Sequence, residues 1–167
     1  MKLIMLNRSR KKKKKQRAKR NRNEMKKILK NDLTDQQWEE VLEKFNGTCA
    51  FSGHGDVITK EHFIPVNTGH GELTTGNIVP MESLLNSDKS SQNPFEWIKK
   101  QNQEIRRRFF KEIVPYLAKE NKMSPKEYEF YVKWCFEHQR TRNQVIIDNK
   151  LGLSSKDVFY KYYLDEN

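Results

Sequence analysis

Residues 61–89 read EHFIPVNTGHGELTTGNIVPMESLLNSDK. Glu61 stands directly before His62, Asn77 follows within the same stretch, and Asn86 and Lys89 are three residues apart. Glu61 and the amide oxygen of Asn86 are hard donors of the kind Mg2+ prefers. Two protein ligands would leave coordination positions open for phosphate oxygens and water. A neutral His62 can take a proton from an attacking water, and an ammonium at Lys89 can offset charge that builds on a phosphorus in its transition state. Together these groups form a kit for phosphodiester hydrolysis. Each also has a plainer reading: His62 as a hydrogen-bonded core histidine, Glu61 and Lys89 as surface charges, Asn77 as a turn residue and Asn86 as a solvated helix residue. Neighbours on a strand point to opposite faces. Glu61 and His62 can therefore serve one ligand only where the strand bends, twists or presents an edge.

The elements that must position this set are legible around it. Thr34 and Gln37 form a capping box before Trp38, Val41, Leu42 and Phe45 at helical spacing, and Asn46-Gly47 ends that helix. Residues 48–80 lose the helical period, and glycines punctuate β-like runs at Val57–Thr59, His62–Val66 and Asn77–Val79. The loop Asn67–Thr75 joins the last two, which predicts a hairpin, followed by a short helix over Met81–Ser91. Asn93-Pro94 opens a further helix with Phe95, Ile98, Ile105, Phe109, Ile113 and Tyr116 on an imperfect apolar face. Ser124 and Glu127 cap another, which buries Tyr128, Tyr131, Val132, Cys135 and Phe136, and residues 141–163 suggest one or two more helical pieces. His70, in a glycine-flanked loop, is expected to be exposed, and His54 and His138 structural or solvated.

In the order of its residues, the stretch resembles the HNH, or ββα-metal, nucleases. In that family an acidic residue and a histidine start a hairpin, an asparagine starts its second strand, and a histidine or asparagine lies on the helix that follows. Glu61-His62, Asn77 and Asn86 match as an HNN variant, joined by Phe63-Ile64-Pro65, Gly69 with Gly71, and Asn77-Ile78-Val79. The likeness covers about residues 47–93. It implies His62 as general base, Glu61 and Asn86 as ligands of one divalent metal (Mg2+, with Mn2+ as the alternative), and Asn77 as the brace of the hairpin loop. It further implies products with a 3′-hydroxyl and a 5′-phosphate. Many members also carry a zinc held by two CxxC pairs. Here those positions are Cys49, Ser52, Glu82 and Leu85, so no structural zinc is expected, and Phe51 and Leu85 are expected to fill its place. The fold class expected is α+β, a small ββα-metal hairpin-plus-helix core embedded in a mostly helical chain.

Charge is concentrated at one end. Of 33 Lys/Arg and 22 Asp/Glu, residues 1–33 hold 15 basic side chains but only Glu24 and Asp32 as acids. The other 134 residues hold 18 basic and 20 acidic ones. A basic arm on a near-neutral body gains free energy by displacing counterions from a polyanion, which suits DNA, RNA or an anionic membrane. Membrane is the weakest of these. Leu3-Ile4-Met5-Leu6 is too short for a leader core and precedes the lysine run, and no stretch reaches the apolar length of a span. With the nuclease resemblance, double-stranded DNA is the expected partner. Its phosphates would be met by Lys11, Lys12, Lys13, Lys14, Lys15, Arg17, Lys19, Arg20 and Arg22 on a disordered or nascent-helical arm. The expected organisation is an arm over 1–33, a nuclease module over 34–93 and a helical region packed on it over 94–167. Cys49 and Cys135 provide no disulfide framework, so a reducing bacterial cytoplasm is expected, with a phage or mobile element as the expected source. The competing readings are a non-catalytic nucleic-acid-binding protein that keeps the fold, and a DNase toxin domain.

Overall fold

The computed structural model describes residues 2–55 and 57–165, and the side chains of these residues other than 2–9, 11 and 163–165. Its elements are α1 (Lys2–Ile28), α2 (Asp35–Lys44), β1 (Ile58–His62), β2 (Ile78–Glu82), α3 (Ser83–Lys89), α4 (Pro94–Trp97), α5 (Gln103–Arg108), α6 (Val114–Glu120), α7 (Pro125–Glu137), α8 (Arg142–Lys150) and α9 (Ser155–Asp165). The chain is thus mixed helix and strand, mostly helical, with one two-stranded sheet among the described residues.

That sheet is antiparallel, with Ile58 opposite Glu82 and His62 opposite Ile78. The expected pairing of His62–Val66 with Asn77–Val79 is corrected. The strand comes before His62 and stops there, and 66–68 form a 3-10 turn. Pro65, which lacks an N–H, cannot extend the ladder. Pro80 is tolerated within β2 because a two-stranded ribbon has only edges, and its carbonyl accepts from Ala50 N–H at 2.9 Å. Met81 and Glu82, expected in the helix, belong to β2.

The capping boxes expected at Thr34 and Ser124 are present, as is the Asn93 cap with Pro94 behind it. The helix expected to run on from Pro94 is broken, however. Asn102 caps a second start by accepting from Ile105 N–H at 2.9 Å. Between α5 and α6 the backbone widens to a π-turn over Phe109–Ile113. Pro115, on the first turn of α6, cannot donate to the carbonyl four residues back, and the wider turn makes room for its ring.

One core joins these parts. It gathers Val41 and Phe45 from α2, Cys49–Phe51, Phe63 and Met81 from the hairpin region, Trp97, Phe109, Leu117 and Tyr128 from the helices, and Phe159 from α9. Phe51 fills the space beside Trp97 and Phe109, with ring centroids 5.5 and 6.3 Å away, and Leu85 packs at the edge. Phe63 stacks on Phe109 at 5.6 Å. Cys49 and Cys135 are buried free thiols. Among the described residues, no helix is long and apolar enough to cross a membrane.

The basic segment, read from sequence as disordered or nascent-helical, forms one helix of about 40 Å at 1.5 Å per residue. Its last turns are what anchor it. Leu29 is buried with Val66 and Val145, and Met25 and Ile28 pack beside them. Asn149 Nδ2 caps the end by donating to Ile28 O at 2.6 Å. Just beyond, Leu73 N–H donates to Lys30 O, and Leu73 O accepts from Asp32 and Leu33 N–H.

Candidate active site

Alternation along β1 places Thr59 and Glu61 on the face toward α3. Glu61 is 6% exposed and its carboxylate meets Lys89 Nζ at 2.5 Å. The ammonium also donates to His62 O at 3.2 Å. Lys89, expected to face a phosphate, is instead wholly enclosed at 0% exposure. It reaches no substrate, and its place is that of a fixed countercharge to Glu61. Burial pushes the Glu61 carboxyl up and the Lys89 ammonium down, and the attraction between them opposes both shifts.

Asn86 lies one helical turn before Lys89. Its Nδ2 donates to Thr59 Oγ1 at 2.8 Å, and that hydroxyl donates in turn to Met81 O at 2.9 Å. Because the single Thr59 proton is used, the amide must present its N–H there. Asn86 Oδ1 is thereby left with no hydrogen-bond donor among the described residues. Among the described residues, no group of three or more His, Cys, Asp or Glu side chains gathers to hold a metal. The donors on offer are one buried carboxylate and one amide oxygen, both hard, which in type fit Mg2+ or Mn2+ and not zinc.

His62 closes β1 and is half-buried. Its ring makes no hydrogen bond or ion pair among the described residues. Burial, then the charges of Lys26, Arg22 and Lys89, pull its pKa down to about 4. The imidazole is therefore neutral at physiological pH, the form a general base needs.

Asn77 is the brace expected of it. Its Oδ1 accepts from Ile64 N–H at 2.7 Å, and its Nδ2 donates to Ile64 O at 3.1 Å and Glu72 O at 2.9 Å. The chain thus turns immediately after His62. Asn77→Ala removes three hydrogen bonds, two of them buried, and orphans the Ile64 N–H, so it should destabilise the fold by about 2–4 kcal/mol. Urea denaturation checks this, and a loss below about 1 kcal/mol would show that the joint is dispensable.

His70 corrects the expectation of an exposed loop. It is 1% exposed, with Nδ1 2.6 Å from Ser155 Oγ and Nε2 2.8 Å from His138 O. A carbonyl only accepts, so Nε2 carries the proton and Nδ1 accepts from Ser155. Ser155 Oγ accepts from Tyr131 at 3.0 Å. Arg140 donates to Gly69 O through Nε at 3.0 Å and Nη2 at 2.7 Å, and pairs with Asp148 at 2.9 Å. The loop 67–75 is therefore held down by α7, α8 and α9. Burial pulls the His70 pKa from 6.5 to about 4. The folded state resists a proton that the unfolded chain accepts, so this stabilisation is complete above pH 6.5 and is lost as pH falls towards 4. A shift of this size corresponds to about 3 kcal/mol. The stability gap between wild type and His70→Gln, measured in urea at neutral and acid pH, should narrow by about that amount. A constant gap would sink the assignment.

Of the expected phosphate contacts, Lys12–Lys15, Arg17, Lys19, Arg20 and Arg22 are exposed on α1, whereas the Lys11 side chain lies outside the described residues. Lys26 was not singled out from sequence. Its signal was available in the spacing of four that separates Arg22 from Lys26 and Met25 from Leu29, two adjoining stripes on the last turns of one helix. No family model, no curated protein and no solved structure matches this chain.

Proposed function

We propose that this chain is a metal-dependent DNA endonuclease of the HNH type, with the hairpin β1–β2 and α3 as its ββα-metal core. The observation that carries this reading is the pairing of a neutral, unpartnered His62 at a strand end with a buried, charge-balanced Glu61 beside it. The ordered resemblance of residues 61–89 supports it, as do the basic side chains along α1.

In this reading Glu61 and Asn86 would hold one divalent cation, and the Lys89 ammonium favours the ionised form of Glu61 against the effect of burial. A divalent cation held there would supply Lewis acidity to a phosphodiester. His62 takes the proton from the attacking water at its free ring nitrogen. Asn77 fixes the turn that presents His62, and α1 holds the duplex by its phosphates.

One observation favours a non-catalytic nucleic-acid-binding protein, namely that the Lys89 ammonium already neutralises Glu61. Metal dependence separates the two. EDTA should stop cleavage of duplex DNA, and Mg2+ or Mn2+ should restore it. DNA binding without cleavage at any metal concentration would favour the non-catalytic reading.

A further inference from the structure

Four cations at the end of α1 and just beyond it fall into two classes. Lys27 pairs with Glu24 at 2.9 Å and Lys30 with Asp32 at 2.8 Å. Arg22 and Lys26 are exposed and form no ion pair among the described residues. They are four apart, on one stripe of the helix, beside the Met25 and Leu29 stripe that docks against Val66 and Val145. Val66 is four residues past His62 and opens the 66–68 turn on which α1 packs, so the docking that seats Leu29 carries the stripe of Arg22 and Lys26 towards His62. Their charges follow burial as the next largest influences on His62, and Glu61 is felt by Lys26 in return. Arg22 and Lys26 also repel one another. Two exposed cations with no ion-pair partner among the described residues, on one stripe of a helix docked next to the turn after His62, are a seat waiting for an anion. Lys89 cannot fill that role because it is enclosed and already paired.

We propose that Arg22 and Lys26 bind the phosphate presented to His62, so that the end of α1 is part of the active site and not only a tether for DNA. This rests on the nuclease reading for the identity of the anion as a DNA phosphodiester. It also divides α1 in two. The turns before Arg22 supply affinity without regard to position, and the turn from Arg22 to Lys26 places one phosphate. Cations aimed at charge that grows in the transition state act on turnover more than on binding.

The test uses the full chain with ring-labelled histidines. Stripped of metal by EDTA, it is titrated with a short DNA duplex while the His62 ring signals are followed by NMR, with overall binding followed by fluorescence anisotropy. In wild type the His62 signals should move. In Arg22→Gln/Lys26→Gln they should stay in place even at saturating duplex. The charge-matched Lys126→Gln/Lys133→Gln, on α7, should behave as wild type. With Mg2+, the Arg22/Lys26 variant should lose about 10²-fold or more in turnover at saturating DNA, the scale for removing a transition-state donor. His62 signals that move in that variant as they do in wild type, or that do not move in wild type at all, overturn the proposal. So does wild-type turnover in the variant. If the wild type cuts no DNA, the nuclease reading fails, and the metal-free titration still decides whether these two side chains seat a phosphate at His62.

Discussion

Replacing His62 with alanine should lower the rate of DNA cleavage by about 10²–10⁴-fold, the usual contribution of a general base. Duplex affinity should hardly change, because phosphate binding is assigned to the cations of α1. The fold should survive as well, since the half-buried ring makes no hydrogen bond or ion pair among the described residues. The pH profile adds a second check. With its pKa held near 4 by burial and by Lys26, Arg22 and Lys89, His62 is in the base form above that pH. In wild type, kcat/KM should therefore persist on the acid side well below the ordinary histidine range of about 6.5. An acid limb centred near 6.5, or a His62→Ala protein that cuts at the wild-type rate, would remove His62 from the role of base.

Deleting residues 1–20 should produce the largest change in binding. The segment carries eleven Lys/Arg, and each phosphate contact adds about 0.9 to the slope of log K against log salt on duplex DNA. A protein with six to ten such contacts loses about 10³–10⁵ in affinity between 50 and 200 mM salt. The truncated chain should bind far more weakly at low salt and show a much flatter dependence. Turnover at saturating DNA should survive, because Arg22, Lys26 and the Leu29 anchor remain. The cut must stop there. A deletion to residue 30, which the sequence invites as removal of a mere arm, would take Leu29 from the core and both cations from beside His62. If the 1–20 deletion binds as tightly as the full chain at low salt, those turns of α1 are bystanders.

What could be read from the sequence was local. Thr34–Gln37, Ser124–Glu127 and Asn93-Pro94 announce helix starts because a cap is made within four residues. Asn77 makes the bonds to Ile64 and Glu72 that a brace of the loop needs, and Asn86 and Lys89 lie on the helix after the hairpin, but Glu61 and His62 end its first strand instead of starting it. What was lost depends on contacts distant in sequence. Whether Lys89 faces a phosphate or Glu61 is decided across 28 residues. His70 reads as a loop residue until Ser155 and His138, 85 and 68 residues away, close over it. Asn102 reads as an interior polar residue until it is seen to cap Ile105. The strand register was displaced because both candidate runs beside Glu61 are β-like, and only the pairing of Ile58 with Glu82 chooses between them.

Incubating purified full-length protein with supercoiled plasmid DNA in Mg2+, with His62→Ala prepared in parallel, tests the central claim most directly. The account predicts nicked or linear DNA from the wild type, with 5′-phosphate and 3′-hydroxyl ends, and intact plasmid from the variant and from wild type in EDTA. Plasmid bound but uncut by the wild type across Mg2+ and Mn2+, or cut equally by both proteins, would contradict it.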